Sequence, residues 1–135
     1  MSKDTGPFHI NSTYVRLRPD ATAEAIAGGP TFWEELSRGA LGTFQNEYLV
    51  TTHSFGHDWP MWEMHPNGDE FILLLSGAID LVLEKQNGHK TLPLRQNGEW
   101  VLVPKGIWHT GRVSVPTTVL FITAGEGTLH RQVEF

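Results

Sequence analysis

The chain has 135 residues, 39% of them apolar and 10% aromatic, which is enough for one domain with a buried core. Its formal net charge of -5, from 15 acidic and 10 basic residues, argues against a nucleic-acid partner, which requires a basic surface. There is no cysteine, so disulfides, thiolate metal sites and cysteine nucleophiles are excluded.

Residues 1–41 predict an N-terminal arm with one short helix. The alanine-rich stretch at 21–27 has a weak helical tendency, which the Gly-Gly-Pro sequence after it ends. The helix itself is predicted in "TFWEELSRG", where Thr31 and Glu34 have the spacing of a capping box and Gly39 provides a C-terminal stop.

The N-terminal sequence "MSKDTGPFHI" lacks the apolar segment of a signal peptide. The longest apolar run, 71–75, is too short to span a bilayer. We therefore expect a cytoplasmic protein with no membrane partner.

Residues 42–135 predict a single antiparallel domain, a sandwich or a barrel, because short β-rich segments alternate with turns. The pair Asn87-Gly88 is typical of a two-residue type I′ hairpin turn. In the strand before it, Ile79, Leu81 and Leu83 share one face.

The run "FILLL", residues 71–75, predicts a strand covered on both faces. One face would line the barrel interior. The other would be covered either by the N-terminal segment that carries Trp33 or by a second copy of the chain.

Potential metal ligands lie just before this run. Glu63 and His65 are two residues apart and would share one face of a strand. The turn at 66–69 would return the chain so that Glu70 opens the next strand on the same wall. His109 follows a later tight turn and would supply a fourth ligand. Nitrogen and oxygen donors without sulfur suit Fe, Mn, Zn, Ni or Co.

Two spaced motifs in this region resemble those of the cupin superfamily. In the first, Glu63-Met64-His65 is followed after four residues by Glu70 and after six more by Gly77, with Glu63 in place of the usual first histidine. The second runs from Gly98 through a Pro-x-Gly turn to His109.

The resemblance covers residues 42–124 and departs from the family pattern in two further places. Val113 stands where the second motif closes on asparagine, and Gly56 lies one residue too far from Glu63. It implies an all-β double-stranded β-helix, a jelly-roll barrel, with Glu63, His65, Glu70 and His109 as ligands of one divalent ion. It also makes a homodimer the favoured assembly.

Other interpretations of these residues remain open. Glu63 and Glu70 are like charges, so without a metal one of them is expected to hold a proton. His53 and His57 would serve as an extra ligand or a proton-transfer group, or else lie exposed in a loop. A pairing of Glu63 with Arg112 would favour a pocket without metal.

The predicted function is a metal-dependent enzyme acting on a small organic molecule in the mouth of the barrel. Oxygenation, isomerisation, lyase chemistry and decarboxylation all remain open, because fold does not choose among reactions. The alternative is a non-enzymatic binding or sensor protein with a structural metal or none.

Overall fold

The computed structural model describes residues 4–134. Within that range the chain forms one helix and the following strands: β1 (Thr13–Leu17), β2 (Ala23–Ala27), α1 (Phe32–Ser37), β3 (Tyr48–Phe55), β4 (Met61–Met64), β5 (Glu70–Ser76), β6 (Ile79–Lys85), β7 (Gly88–Leu94), β8 (Trp100–Val103), β9 (His109–Arg112), β10 (Thr117–Ala124) and β11 (Leu129–Gln132). The described chain has no helix long and apolar enough to cross a membrane.

The strands form two antiparallel sheets. One has six strands in the order β2-β1-β3-β10-β5-β8, and the other has five in the order β11-β4-β9-β6-β7. The core contains apolar side chains from both sheets, among them Ile72, Leu74, Leu81 and Val119, all fully buried. This is the jelly-roll arrangement that the sequence predicts, and Ile79, Leu81 and Leu83 do share the inward face of β6.

The N-terminal region differs from its prediction in part. The alanine-rich stretch forms β2 rather than a helix, since it pairs along its whole length with β1, which in turn pairs with β3. Cross-strand pairing here overrides a weak helical propensity. The helix α1 starts after Thr31 as expected, but the Thr31 side chain makes no capping hydrogen bond. Gly39, the predicted C-terminal stop, directly follows the C-cap residue Arg38 and has a φ of 79°.

The hairpin between β6 and β7 forms at the predicted place with a different turn. Lys85 pairs with Gly88, so the two loop residues are Gln86 and Asn87. Gly88 has a φ of 134° and already belongs to β7. Among the described non-glycine residues, Ala21 and Asn46 have positive φ, so Asn87 does not adopt the type I′ conformation.

Residues 4–134 leave the outer face of β5 partly open to solvent. Ile72 and Leu74 are buried, whereas Phe71 and Leu73 are half-buried and Leu75 is exposed. The N-terminal alternative for covering this face is wrong, because Trp33 contacts Phe32 and His53 and lines the interior cavity instead.

Candidate metal centre

Three predicted ligands meet at one end of the barrel interior. One ligand atom each from Glu63, His65 and His109 lies within 4.8 Å of the other two. Glu63 in β4 is the antiparallel partner of His109, the first residue of β9. His65 directly follows β4 and is buried. Glu63 and His65 lie together for the reason predicted from the sequence, because alternate residues along a strand project to the same side.

Glu70 lies against both histidines. Its carboxylate oxygens are 2.8 Å from His109 Nε2 and 3.3 Å from His65 Nε2. In a site with metal–ligand distances of about 2.1 Å, neighbouring ligand atoms are separated by roughly 3 Å. The spacing of Glu70 from the two imidazoles is therefore compatible with a common ion.

The atoms that would face this ion are buried without hydrogen bonds. Within residues 4–134, four buried side-chain polar atoms make no hydrogen bond: Trp59 Nε1, His65 Nε2, Glu70 Oε1 and His109 Nε2. Three of the four belong to this cluster. Although His109 and Glu70 are close, their contact lacks hydrogen-bond alignment. Buried polar atoms are nearly always paired, so this concentration of unpaired atoms indicates a ligand-binding centre.

The remaining polar atoms of the cluster are held by neighbouring groups. His109 Nδ1 is 3.1 Å from the Ile107 carbonyl oxygen, and His65 Nδ1 is 2.9 Å from the Thr128 hydroxyl. The Thr123 hydroxyl donates to Glu70 Oε2 at 2.5 Å. Such contacts orient metal-binding imidazoles and carboxylates from behind. A carbonyl oxygen can only accept a hydrogen bond, so His109 Nδ1 must carry the hydrogen. In the neutral ring Nε2 then keeps its lone pair.

The electrostatic environment of Glu70 favours its ionised form. Burial opposes its ionisation, but the contacts with His109 and His65 outweigh burial and lower the pKa of Glu70 to about 2. Glu70 is therefore ionised rather than the proton-holding member of the acidic pair. For His109, burial is the largest single effect and favours the neutral ring, but Glu70, the Ile107 carbonyl and Glu63 together outweigh it and raise the pKa.

Glu63 is the most accessible member of the cluster, with a side chain 33% exposed. Its Oε1 lies 3.6 Å from Nε2 of His130, which sits opposite it on β11. Arg112, the partner considered from the sequence, lies three residues beyond His109 on β9, where its backbone is in register with Asp80 of β6. This contact between His130 and Glu63 could not be predicted from the sequence, because it depends on the pairing of β11 with β4.

A cavity of about 590 Å³ opens onto the cluster. Glu63, His65 and Glu70 line its polar end, and His53 and His57 also lie in its wall. Trp62 and Trp108 do not; the Arg131 guanidinium lies over both their rings, at 5.4 and 4.7 Å from the centroids. This agrees with the strand parity, which directs these two tryptophans away from the ligands.

No family model and no curated protein matches the sequence. Solved structures do resemble it. Hydroquinone 1,2-dioxygenase from Sphingomonas sp. TTNP3, solved with 4-hydroxybenzoate bound, has a TM-score of 0.50 at 20% identity, over 56% of this chain and 58% of its own. An oxalate oxidase has a TM-score of 0.51 at 15% identity, over 61% of this chain and 45% of its own.

A third solved structure, a cupin-2 domain-containing protein from Shewanella frigidimarina NCIMB 400, has a TM-score of 0.46 at 21% identity, over 56% of this chain and 68% of its own. At identities this low the likeness concerns the fold alone. The matches to the dioxygenase and the oxidase cover about half the length of those proteins.

Proposed function

The chain adopts the cupin fold, and from this premise we propose that it is a small-molecule metalloenzyme whose divalent ion is held by Glu63, His65, Glu70 and His109. The observation that carries the proposal is the set of unpaired buried atoms, His65 Nε2, His109 Nε2 and Glu70 Oε1, beside the Glu63 carboxylate. Two carboxylates and two imidazoles suit Fe, Mn, Zn, Ni or Co.

The protein's own groups would prepare the site before any substrate arrives. Ile107 and Thr128 hold the imidazoles, and Thr123 holds Glu70, so little reorganisation accompanies ion binding. The cavity gives a substrate access to one side of the cluster. When bound, the ion would supply Lewis acidity and orient the reactants. The reaction would be of oxygenase, isomerase, lyase or decarboxylase type.

Metal content of the full chain tests the ligand set. Tag-free protein, loaded with Zn²⁺, Mn²⁺ or Fe²⁺ and desalted, should retain close to one ion per chain. His109→Ala and Glu70→Ala should each abolish retention, and Glu63→Ala should weaken it. His9→Ala is the matched control, because His9 lies in the exposed N-terminal segment. Wild-type protein that retains no ion would refute the proposal.

A second test separates an enzyme from a structural metal site. Catalytic sites keep a coordination position open, whereas structural sites are closed by protein ligands. Mn²⁺-loaded protein should therefore enhance water-proton relaxation strongly. A weak enhancement would favour a structural ion instead.

One observation favours the non-enzymatic alternative. The Glu70 carboxylate lies close enough to both histidines to compensate a protonated imidazole without any metal. In that case the barrel would be a metal-free small-molecule binding or sensor protein. His109→Ala would then lower the stability of the protein while the metal content of wild type and variant stayed equally low.

We also propose that the protein forms a homodimer through the outer face of the six-stranded sheet. Cross-strand neighbours form a continuous apolar surface there, the outer apolar face, made of Phe71, Leu73, Trp100, Leu102, Leu120 and Ile122. Trp100 and Leu102 are each 55% exposed. An uncharged face of this kind is self-complementary across a two-fold axis and is typical of an interface.

A further inference from the structure

The cavity has one polar end and an aromatic wall. Four side-chain rings follow one another along this wall in contact: His53 stacks on Phe55 with centroids 4.8 Å apart and planes at 9°, Phe55 lies 5.3 Å from Trp59, and Trp59 lies 5.8 Å from Phe121. Trp33 of α1 extends the wall from the other side of His53, at 6.0 Å. All five side chains line the cavity.

This wall begins next to the candidate metal centre. The Trp59 ring is 6.5 Å from the His109 ring, centroid to centroid, and meets it edge-on. A ligand that reaches the ion would therefore lie beside Trp59 and Phe55. Trp59 and Phe121 belong to the hydrophobic core and Phe55 packs against it, so the wall is held rigidly while it lines the cavity.

One buried polar atom in the wall lacks a partner. The indole N–H of Trp59 is buried and makes no hydrogen bond within the described chain. His53, by contrast, is exposed to solvent, and stacking on Phe55 holds its ring in place. A buried donor without an acceptor is costly in free energy, and a ligand with an acceptor atom would remove that cost.

We propose that the cavity takes an uncharged aromatic compound of one or two rings, which presents a hydroxyl oxygen to the metal centre and lies along the His53–Phe55–Trp59–Phe121 wall. This assignment rests on the proposed metal site and specifies its substrate class. Stacked and edge-to-face contacts with Phe55, Trp59 and Phe121 would select a planar ring over a saturated one. The volume of about 590 Å³ is within the ~300–1,000 Å³ typical of small-molecule sites.

The charges in the cavity favour an uncharged compound. Glu63, Glu70 and Asp58 all line it. Two of these carboxylates would balance a divalent ion, so an anionic ligand would meet a site with no remaining positive charge. A hydroxyl group supplies an oxygen donor without adding a formal charge to the ligand.

Calorimetric titration of the Zn²⁺-loaded full chain tests the proposal, with zinc chosen because it has no redox chemistry. The probe is 4-hydroxybenzamide, and trans-4-hydroxycyclohexanecarboxamide is its saturated counterpart. Benzamide keeps the ring and lacks the hydroxyl. We expect 4-hydroxybenzamide to bind at least ~10-fold more tightly than either control compound. Equal affinity for the aromatic and saturated compounds would overturn the aromatic assignment.

Variants identify the wall as the source of the selectivity. Phe55→Leu keeps an apolar side chain and should remove most of the preference for the aromatic probe, while Zn²⁺ retention stays at the wild-type level. Phe71→Leu is the matched control, because Phe71 lies on the outer apolar face. A Phe55→Leu variant that keeps the full preference would contradict the proposal.

Two outcomes distinguish this inference from the metal proposal. A chain that retains Zn²⁺ and does not prefer the aromatic probe refutes the substrate class and leaves the metal site intact. A chain that retains no metal refutes the metalloenzyme. With Zn²⁺ retained, equal affinities for 4-hydroxybenzamide and benzamide would refute the assigned role of the hydroxyl.

Discussion

The Nδ1–H of His109 donates to the carbonyl oxygen of Ile107, two residues earlier in the chain, at 3.1 Å. The turn that precedes β9 thus selects the tautomer of the side chain that opens the strand. This contact is local in sequence, whereas Glu70 and Trp59 contact the ring from distant parts of the chain. The contacts that hold His65 and Glu70 span 63 and 53 residues.

The Thr123 hydroxyl should strengthen metal binding through Glu70. Thr123→Val removes the donor to Glu70 Oε2 and preserves the shape of the side chain. We expect the metal affinity to fall by ~10–100-fold, the usual effect of losing a partner of a ligating group. A competition titration against a chelator measures it. Thr118 lies on the same strand as Thr123 and contacts Ser54 of β3. Thr118→Val, the control, should leave the affinity unchanged.

Metal affinity should fall as the pH falls, because a proton and the ion compete for His109 Nε2. The Glu70 carboxylate raises the pKa of His109 above its ordinary value of 6.5, so this competition begins at a higher pH than for a free imidazole. Calorimetry in buffers of different ionisation enthalpy should detect more protons released on Zn²⁺ binding at pH 6 than at pH 8.5. Equal proton release at both values would contradict the prediction.

The same contact sets the pH dependence of the metal-free protein. The raised pKa of His109 contributes stability below pH 6.5 that is lost as the pH rises through the folded-state pKa. The pKa of Glu70, lowered to about 2, contributes stability above pH 4.5 that is lost as the pH falls toward 2. Denaturant unfolding from pH 3 to 9 should show both losses, and Glu70→Gln should remove the dependence that Glu70 causes.

Gly77 should tolerate no side chain. Its φ is 91°, and an added Cβ would lie 2.4 Å from the Pro116 carbonyl oxygen and 2.5 Å from Thr117 Oγ1. Gly98 is a matched control with φ of 95° and no atom within 4 Å of such a Cβ. Gly98→Ala should cost ~1–2 kcal/mol of unfolding free energy from the backbone conformation alone. Gly77→Ala should cost at least ~2 kcal/mol more, from the added steric overlap. Similar costs for the two variants would exclude the steric explanation.

The outer apolar face should control assembly. Trp100→Glu places a charge within the outer apolar face and should convert a dimer to a monomer in sedimentation velocity. Val115→Glu changes an apolar side chain that is 44% exposed elsewhere on the surface and should leave the dimer intact. A wild-type protein that is monomeric at micromolar concentration would contradict the homodimer.

Features that depend on short-range spacing were predictable from the sequence. Glu63 and His65 project together because they lie two residues apart, and His109 follows a turn in which Gly106 has φ of 79°. The prediction that one hairpin also brings in Glu70 is wrong, because β4 and β5 belong to different sheets, and Glu70 approaches the two histidines from the facing sheet. The same local logic identified β6 and its inward face. The cupin motifs added the order of the two ligand groups, although the four-ligand set itself remains a proposal.

Features that depend on distant pairing were missed. The alanine-rich β2 is a strand because β1 lies beside it, and no local pattern reveals that neighbour. Thr123 and Thr128 carry no motif, since their contacts with Glu70 and His65 span 53 and 63 residues of sequence. The aromatic wall was missed for the same reason, because Trp33, Phe55 and Phe121 come from separate elements.

The contact of Arg131 with Trp62 and Trp108 has a consequence for dynamics. Through this contact the Arg131 side chain attaches β11 to the two tryptophans. β11 is an edge strand, and its four residues are all exposed. Edge elements with little buried surface open locally at lower free energy than the core. Because Thr128 directly precedes β11 and holds His65, opening of this strand and release of the ion would be thermodynamically coupled. The bound ion would then slow amide hydrogen exchange in β11, and a looser β11 would hold the ion less tightly.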